Sequence, residues 1–147
     1  NRTNAVLEFE PLYTTRFDLT KPELAKRAFA KLTYSIDYQS YDKLWEHILY
    51  RTRTYRGKPI LRSCFAGWDN SPRKEKNSMI VRGSTPEKFG NYLKQLMLSH
   101  RQDLSKDFLV INAWNEWSEG AYLEPDKHNG YGYLDAIRYV RQEVENV

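Results

Sequence analysis

Residues 107–126 read DFLVINAWNEWSEGAYLEPD, and two patterns meet inside them. Phe108-Leu109-Val110-Ile111 is a continuous apolar run with β-branched members, the signature of a strand buried on both faces. At Asn112 the composition switches. Asn112, Trp114, Asn115, Glu116, Trp117, Glu119, Tyr122 and Glu124 follow in close succession. A buried strand that breaks into acids, amides and aromatic rings is expected to deliver a site at its C-terminal end, as strands of α/β barrels and open α/β sheets do.

The rest of the chain supplies the elements such a strand needs. Ala5–Glu10 reads as a short strand ended by Pro11, and Thr20, Pro22 and Glu23 form a helix start of capping-box type. Residues 32–38 (LTYSIDY) alternate as a second strand. Ser40 then caps a helix whose Tyr41, Leu44, Trp45, Ile48 and Leu49 share one face. Gly57-Lys58-Pro59 breaks the chain before a third strand, 60–66 (ILRSCFA), and a polar loop over 67–83. Ser84 or Thr85 caps the next helix, with Pro86 in its first turn and a buried face of Phe89, Tyr92, Leu93, Leu96 and Met97. After the 108–111 strand, Gly130-Tyr131-Gly132 leads into a final helix through Leu134, Ile137, Val140 and Val144.

Alternating β and α elements imply a parallel sheet with helices packed outside it. The loops after strands are long and aromatic-rich, whereas those after helices are short, an asymmetry typical of a (β/α)8 TIM barrel. A complete barrel takes about 250 residues. The 147 residues are therefore read as one partial domain, about the C-terminal half of a barrel with four β/α units.

Composition narrows the function. Aromatic residues make up 14% of the chain, with eleven Tyr and four Trp, which suits a cleft where flat rings stack on sugars. Residues 107–147 carry eight acids and three bases, a net −5, leaving +9 on the first 106 residues of a chain whose total is +4. The basic residues are scattered along helix-like segments, so a solvated face explains them better than a nucleic-acid surface. Cys64 is the only cysteine and cannot form an intramolecular disulfide; its apolar setting makes it a small buried side chain. No apolar segment approaches the ~18 residues that span a bilayer, and no secretory leader is visible. The cytoplasm is the favoured location. His47, His100 and His128 lack zinc-site spacing, and neither a phosphate-binding glycine loop nor a G-x-S-x-G elbow occurs, so no metal or cofactor is expected.

Three constellations could carry chemistry. Glu116 and Glu119, three residues apart, point to opposite faces of an extended strand but can share one cleft in a turn. Paired carboxylates flanking a sugar bond are the equipment of glycoside hydrolysis, and Trp114 and Trp117 beside them supply apolar surroundings. Asn112, Asn115, Tyr122 and Glu124 are natural binders of sugar hydroxyls. Gly67-Trp68-Asp69-Asn70-Ser71-Pro72-Arg73 adds a stacking ring, an acid, an amide and a cation, although Asn, Ser and Pro also suit a simple turn. Glu8 and Glu10 share one face of the first strand, and Glu10, nearer its C-terminal end, is the better site candidate.

The motifs at 112–126, at 130–134 (GYGYL) and at 67–73 (GWDNSPR) closely resemble the WbsX family, bacterial proteins described as glycosyltransferases of surface-polysaccharide synthesis and as glycoside hydrolase family 99-like. The resemblance covers essentially the whole chain but only the C-terminal part of the family's domain. It implies a (β/α)8 barrel acting on oligo- or polysaccharide of the O-antigen or capsule type, as a transferase or a retaining glycosidase. In the related family 99 endo-α-mannosidases and mannanases, a Glu-Trp-x-Glu-Gly motif carries both catalytic glutamates. That resemblance implies that Glu119 is the general acid/base, and that Glu116 assists attack by the sugar's own 2-hydroxyl through a 1,2-anhydro intermediate. Ser118 stands where those hydrolases commonly have histidine. The missing strands would complete the cleft, so the 147 residues alone are expected to be inactive. Two rival readings are a non-catalytic glycan-binding barrel, whose binding would survive loss of both glutamates, and a basic nucleic-acid-binding domain, whose binding would fall steeply with salt.

Overall fold

The computed structural model describes residues 5–52, 55, 57–99 and 108–145; Asp107 and His100 lie outside them. Along the chain come β1 (Val6–Leu7), α1 (Leu12–Phe17), α2 (Lys21–Leu32), β2 (Asp37–Ser40), α3 (Tyr41–Leu49), β3 (Ile60–Phe65), α4 (Ser71–Lys74), β4 (Met79–Arg82), α5 (Pro86–Ser99), β5 (Leu109–Asn112), β6 (Asn115–Glu116), β7 (Ala121–Tyr122) and α6 (Gly132–Glu145). The architecture is mixed α/β with parallel pairing.

The main sheet is parallel in the order β1-β3-β5, with Val6 opposite Ile60 and Cys64 opposite Ile111. Helices lie between its successive strands, as parallel pairing requires of its crossovers. The sheet is open at both edges among the described residues, and no closed barrel is formed.

The expected second strand behaves differently. The strand lies at Asp37–Ser40, and it pairs in parallel with β4, not with the main sheet. Four β/α units around one sheet are thus corrected to three. Two local causes account for the difference. Thr20 and Glu23 cap α2 through a 2.8 Å bond from the Thr20 N–H to the Glu23 carboxylate, and the helix runs on through Leu32, consuming the start of the expected strand. Met79-Ile80-Val81-Arg82, inside the expected polar loop, then offers the partner edge. Its apolar run is too short to stand out in the sequence. α1, α4 and the β6–β7 hairpin likewise carry no sequence signal strong enough to mark them as separate elements.

The core lies between the sheet and α3, α5 and α6. Tyr41, Leu44, Trp45 and Ile48 of α3 are buried, as are Phe89, Leu93 and Leu96 of α5 and Val140 and Val144 of α6. The helical stripes read from the sequence are therefore the core, with Leu49, Tyr92, Met97, Leu134 and Ile137 packed at its margin. Trp45 stacks on Phe65 and Tyr92 at centroid distances of 6.1 and 5.3 Å. Fully burying side chains of this kind stabilises a fold by roughly 1.5–3 kcal/mol each. Ser40 and Thr85 cap α3 and α5 by accepting the Lys43 and Lys88 N–H groups.

Candidate active site

β5 ends at Asn112, and the chain then folds into the β6–β7 hairpin, with Asn115 opposite Tyr122 and Glu116 opposite Ala121. A 3-10 turn at Trp117–Glu119 joins the two short strands, so Glu116 and Glu119 bracket a turn and do not alternate along a strand. Gly120 closes this turn at φ +58°, where a Cβ would meet the Asp69 backbone nitrogen at 2.8 Å. Only glycine fits a left-handed residue pressed against another backbone. The close approach is what lets the Asp69 N–H donate to the Glu119 carbonyl at 2.7 Å, tying the hairpin to the loop after β3.

That tie brings the two sequence motifs together. Arg73 donates to the Glu119 carboxylate, and Ser118 Oγ donates to Glu116. Trp117 stacks on Tyr122 with centroids 3.8 Å apart and planes 18° from parallel, while its Nε1 donates to Glu124 at 2.6 Å. Trp114 is exposed and Asn115 lies on the open hairpin. A cleft of about 370 Å³ runs beside the hairpin, walled by Trp68, Asp69, Trp117 and Tyr122. Its further lining by Ser84, His128, Asn129 and Tyr133 was not among the sequence candidates. The GYGYL run was the one available signal for Tyr133.

Other candidates are placed less openly. Trp68 is 2% exposed, so it offers almost no ring face for stacking although it helps to wall the cleft. Asn70 is buried, and its side-chain oxygen accepts the Met79 N–H at 2.7 Å, stapling the loop to β4. Asp69 Oδ1 accepts the Ser71 N–H at 2.9 Å, the turn role that its neighbours also allowed. Asn112 is buried and donates to the Glu10 carbonyl at 2.9 Å, joining the ends of β5 and the first strand segment.

Glu10 departs furthest from a cleft position. It is fully buried, accepts from Arg51 at 2.7 Å and from the Thr14 N–H at 3.1 Å, and so serves the start of α1. Burial raises its carboxyl pKa, against the lowering effect of Arg51. The sequence could not show this, because Arg51 lies 41 positions away. Cys64 is buried beside it, and burial pushes its thiol well above the ordinary range, consistent with an inert packing role. His47 pairs with Glu23 at 3.1 Å. Among the described residues, no group of three or more His, Cys, Asp or Glu side chains is placed to hold a metal ion, and no helix is long and apolar enough to cross a membrane.

The hairpin is braced on its far side by Asp126. Its carboxylate accepts from the Asn129 and His128 N–H groups and from Tyr122 Oη at 2.9 Å. Those bonds, led by the one from the Asn129 backbone, lower its pKa to about 2 from 3.8. Burial and the neighbouring Asp126 raise the Tyr122 hydroxyl to about 12. An acid with a depressed folded pKa contributes stability above its unfolded value, and the contribution is lost as pH falls through the folded one. Asp126→Asn is therefore expected to cost about 1 kcal/mol at pH 7, after allowance for solvent screening. In urea titrations between pH 4 and pH 2 the variant should lose less stability than the parent; an equal loss would contradict the assignment.

A protein-family model described as glycosyltransferase WbsX matches residues 1–137. Two curated relatives, each named "Uncharacterized protein WxcX" and drawn from two strains of Xanthomonas campestris pv. campestris, one of them B100, are 31% identical over 147 residues. These alignments cover 98% of this chain but 20% of each relative, so the chain spans about a fifth of the length of the curated relatives it matches. No solved structure matches. With nearly the whole chain, both motif loops included, lying inside the matched region, the protein belongs to the WbsX glycosyltransferase family.

Proposed function

We propose that this chain forms one wall of the active site of an enzyme that makes or cleaves glycosidic bonds in a bacterial surface polysaccharide of O-antigen or capsule type. The observation that carries the reading is the hairpin turn. It holds Glu116 and Glu119 beside a stacked Trp117–Tyr122 pair, at the end of a strand in a parallel sheet. Glu119 acts as the general acid/base, and Glu116 assists attack at the sugar. Trp114 and Tyr122 offer ring faces, and Asn115, Glu124, Asp69 and Arg73 offer polar contacts; buried Asn112, Asn70 and Trp68 hold the loops that present them.

The parallel sheet is proposed to be part of a (β/α)8 barrel, contributing three of its strands. Support comes from the end of β1 and the residues that follow it, where Glu8 and Glu10 are buried while Leu7 and Phe9 are 42% and 41% exposed. Phe108, before β5, is also exposed. Open sheet edges can pair with further strands, and apolar side chains bared beside them are suited to cover by further elements. A non-catalytic glycan-binding barrel is the alternative.

The test is product analysis. The full-length polypeptide is incubated with candidate surface glycans, with and without activated sugar donors. Donor-dependent chain growth identifies a transferase, and shortened products without donor identify a glycosidase. Glycan binding with neither product would overturn the enzymatic reading in favour of the binding barrel.

A further inference from the structure

An ordinary surface helix buries its apolar stripe and turns its charges to water. α2 does the reverse. Its inward residues are Glu23, Arg27 and Ala30, four and then three positions apart on one face. Both charged members are held by polar partners. Glu23 meets His47 at 3.1 Å and caps the helix, while Arg27 pairs with Asp37 at 3.5 Å and donates to the Thr15 carbonyl. The apolar residues Leu24, Ala25, Ala28, Phe29 and Leu32 are all exposed. At 3.6 residues per turn they form one continuous arc of about 140°, centred opposite Ala30. Phe29 and Leu32 are 67% and 80% exposed, and Tyr34, just past the helix end, is 68% exposed. Side chains so bare project from the surface, and a contiguous apolar patch of this kind marks an interaction site.

The charge around the arc indicates what covers it. The exposed charges of α2 are Lys21, Lys26 and Lys31, since its one acid, Glu23, is turned inward. By helical geometry Lys21 stands at the N-terminal end of the arc and Lys31 along its edge. A second copy of the same helix laid on this face would bring lysines against lysines. An anionic lipid surface fits all three features. Apolar side chains sink below the headgroups, lysines reach the lipid phosphates, and a tyrosine sits at the boundary.

We propose that α2 is a membrane-surface helix, seating Leu24, Phe29 and Leu32 in the headgroup region of an anionic bilayer with Lys21 and Lys31 at the phosphates. With 12 residues it is too short to cross a bilayer and lies in the plane of the interface. This does not depend on the roles of Glu116 and Glu119.

The test sediments the full-length polypeptide with phosphatidylglycerol vesicles and, separately, with phosphatidylcholine vesicles. It should bind the anionic vesicles more tightly, and added salt should weaken that binding. Phe29→Ser with Leu32→Ser, at positions too exposed to support the fold, should weaken binding at least tenfold while thermal unfolding matches the parent. Lys21→Gln with Lys31→Gln should weaken binding to the anionic vesicles about tenfold. Leu32→Cys reports on the face directly. Its thiol should react with a maleimide in the free polypeptide, as read by peptide mass, and be shielded once vesicles are added. A thiol already blocked in the free polypeptide would mean that protein covers the arc, and would overturn the proposal. So would a polypeptide that binds neither vesicle, or two paired variants that bind as the parent does.

Discussion

Replacing Arg51 by Met is expected to destabilise the fold by about 3–5 kcal/mol, the cost of leaving buried charge without its partner. The Arg51 side chain is 2% exposed, and those of Glu8 and Glu10 are fully buried. Its guanidinium donates to Glu8 at 2.6 Å, to Glu10, Thr14 and Asp18 at 2.7 Å, and lies 4.5 Å from the centroid of the Tyr13 ring. Arg62 stands 3.1 Å from Glu8 and can compensate there in part, but Glu10 would keep only its bond from Thr14. The pH dependence follows from Glu10, whose folded pKa is raised above 4.5 by burial even with Arg51 present. An acid of raised folded pKa holds its proton in the native state after the unfolded chain has released it, so stability falls as pH rises through that window. Without Arg51 the window extends upward. The loss measured by urea unfolding should therefore be larger at pH 7 than at pH 5, and adding Glu8→Gln and Glu10→Gln should recover much of it. A loss independent of pH and untouched by the paired changes would show that packing, not charge, is the function of Arg51.

This cluster also marks where the sequence stops being informative. The helix faces of α3 and α5 were legible because period 3.6 is a local signal, and Tyr41, Leu44, Trp45, Phe89 and Leu93 are buried as that pattern requires. The strand before the motif was legible from the apolar run 108–111, and it lies one residue further along, at Leu109–Asn112. The pairing of β2 with β4 was not, because register between strands some forty residues apart leaves no mark in either one. The same holds for Glu10: its alternation with Phe9 showed which face it shares with Glu8, but not that a distant Arg51 would hold both away from the cleft. Asn70 and Trp68 belong to a motif rich in sugar-binding residue types, yet one is occupied by the Met79 N–H and the other is nearly covered. Residue type identifies a motif's chemistry, whereas only the fold decides which members reach solvent.

Glu119→Gln and Glu116→Gln in the full-length polypeptide should each lower turnover of the identified glycan by about 10²–10⁴-fold, the usual contribution of a positioned acid or base. The structure makes this a clean comparison. A glutamine side-chain oxygen at position 119 can still accept from Arg73, and one at position 116 can still accept from Ser118, so the contacts that hold both side chains survive the substitution. The Trp117–Tyr122 stack and the Asp69 bond to the Glu119 carbonyl involve neither carboxylate. What changes is the capacity to exchange a proton or assist attack. A group acting only in the transition state lowers kcat with KM nearly unchanged, whereas one that merely binds a hydroxyl raises KM. A fall in kcat at constant KM for both variants supports acid/base and attack-assisting roles; a rise in KM alone would reassign the pair to substrate binding. Unchanged kinetics in both would remove the hairpin from the chemistry, however well its aromatic and acidic residues suit a sugar.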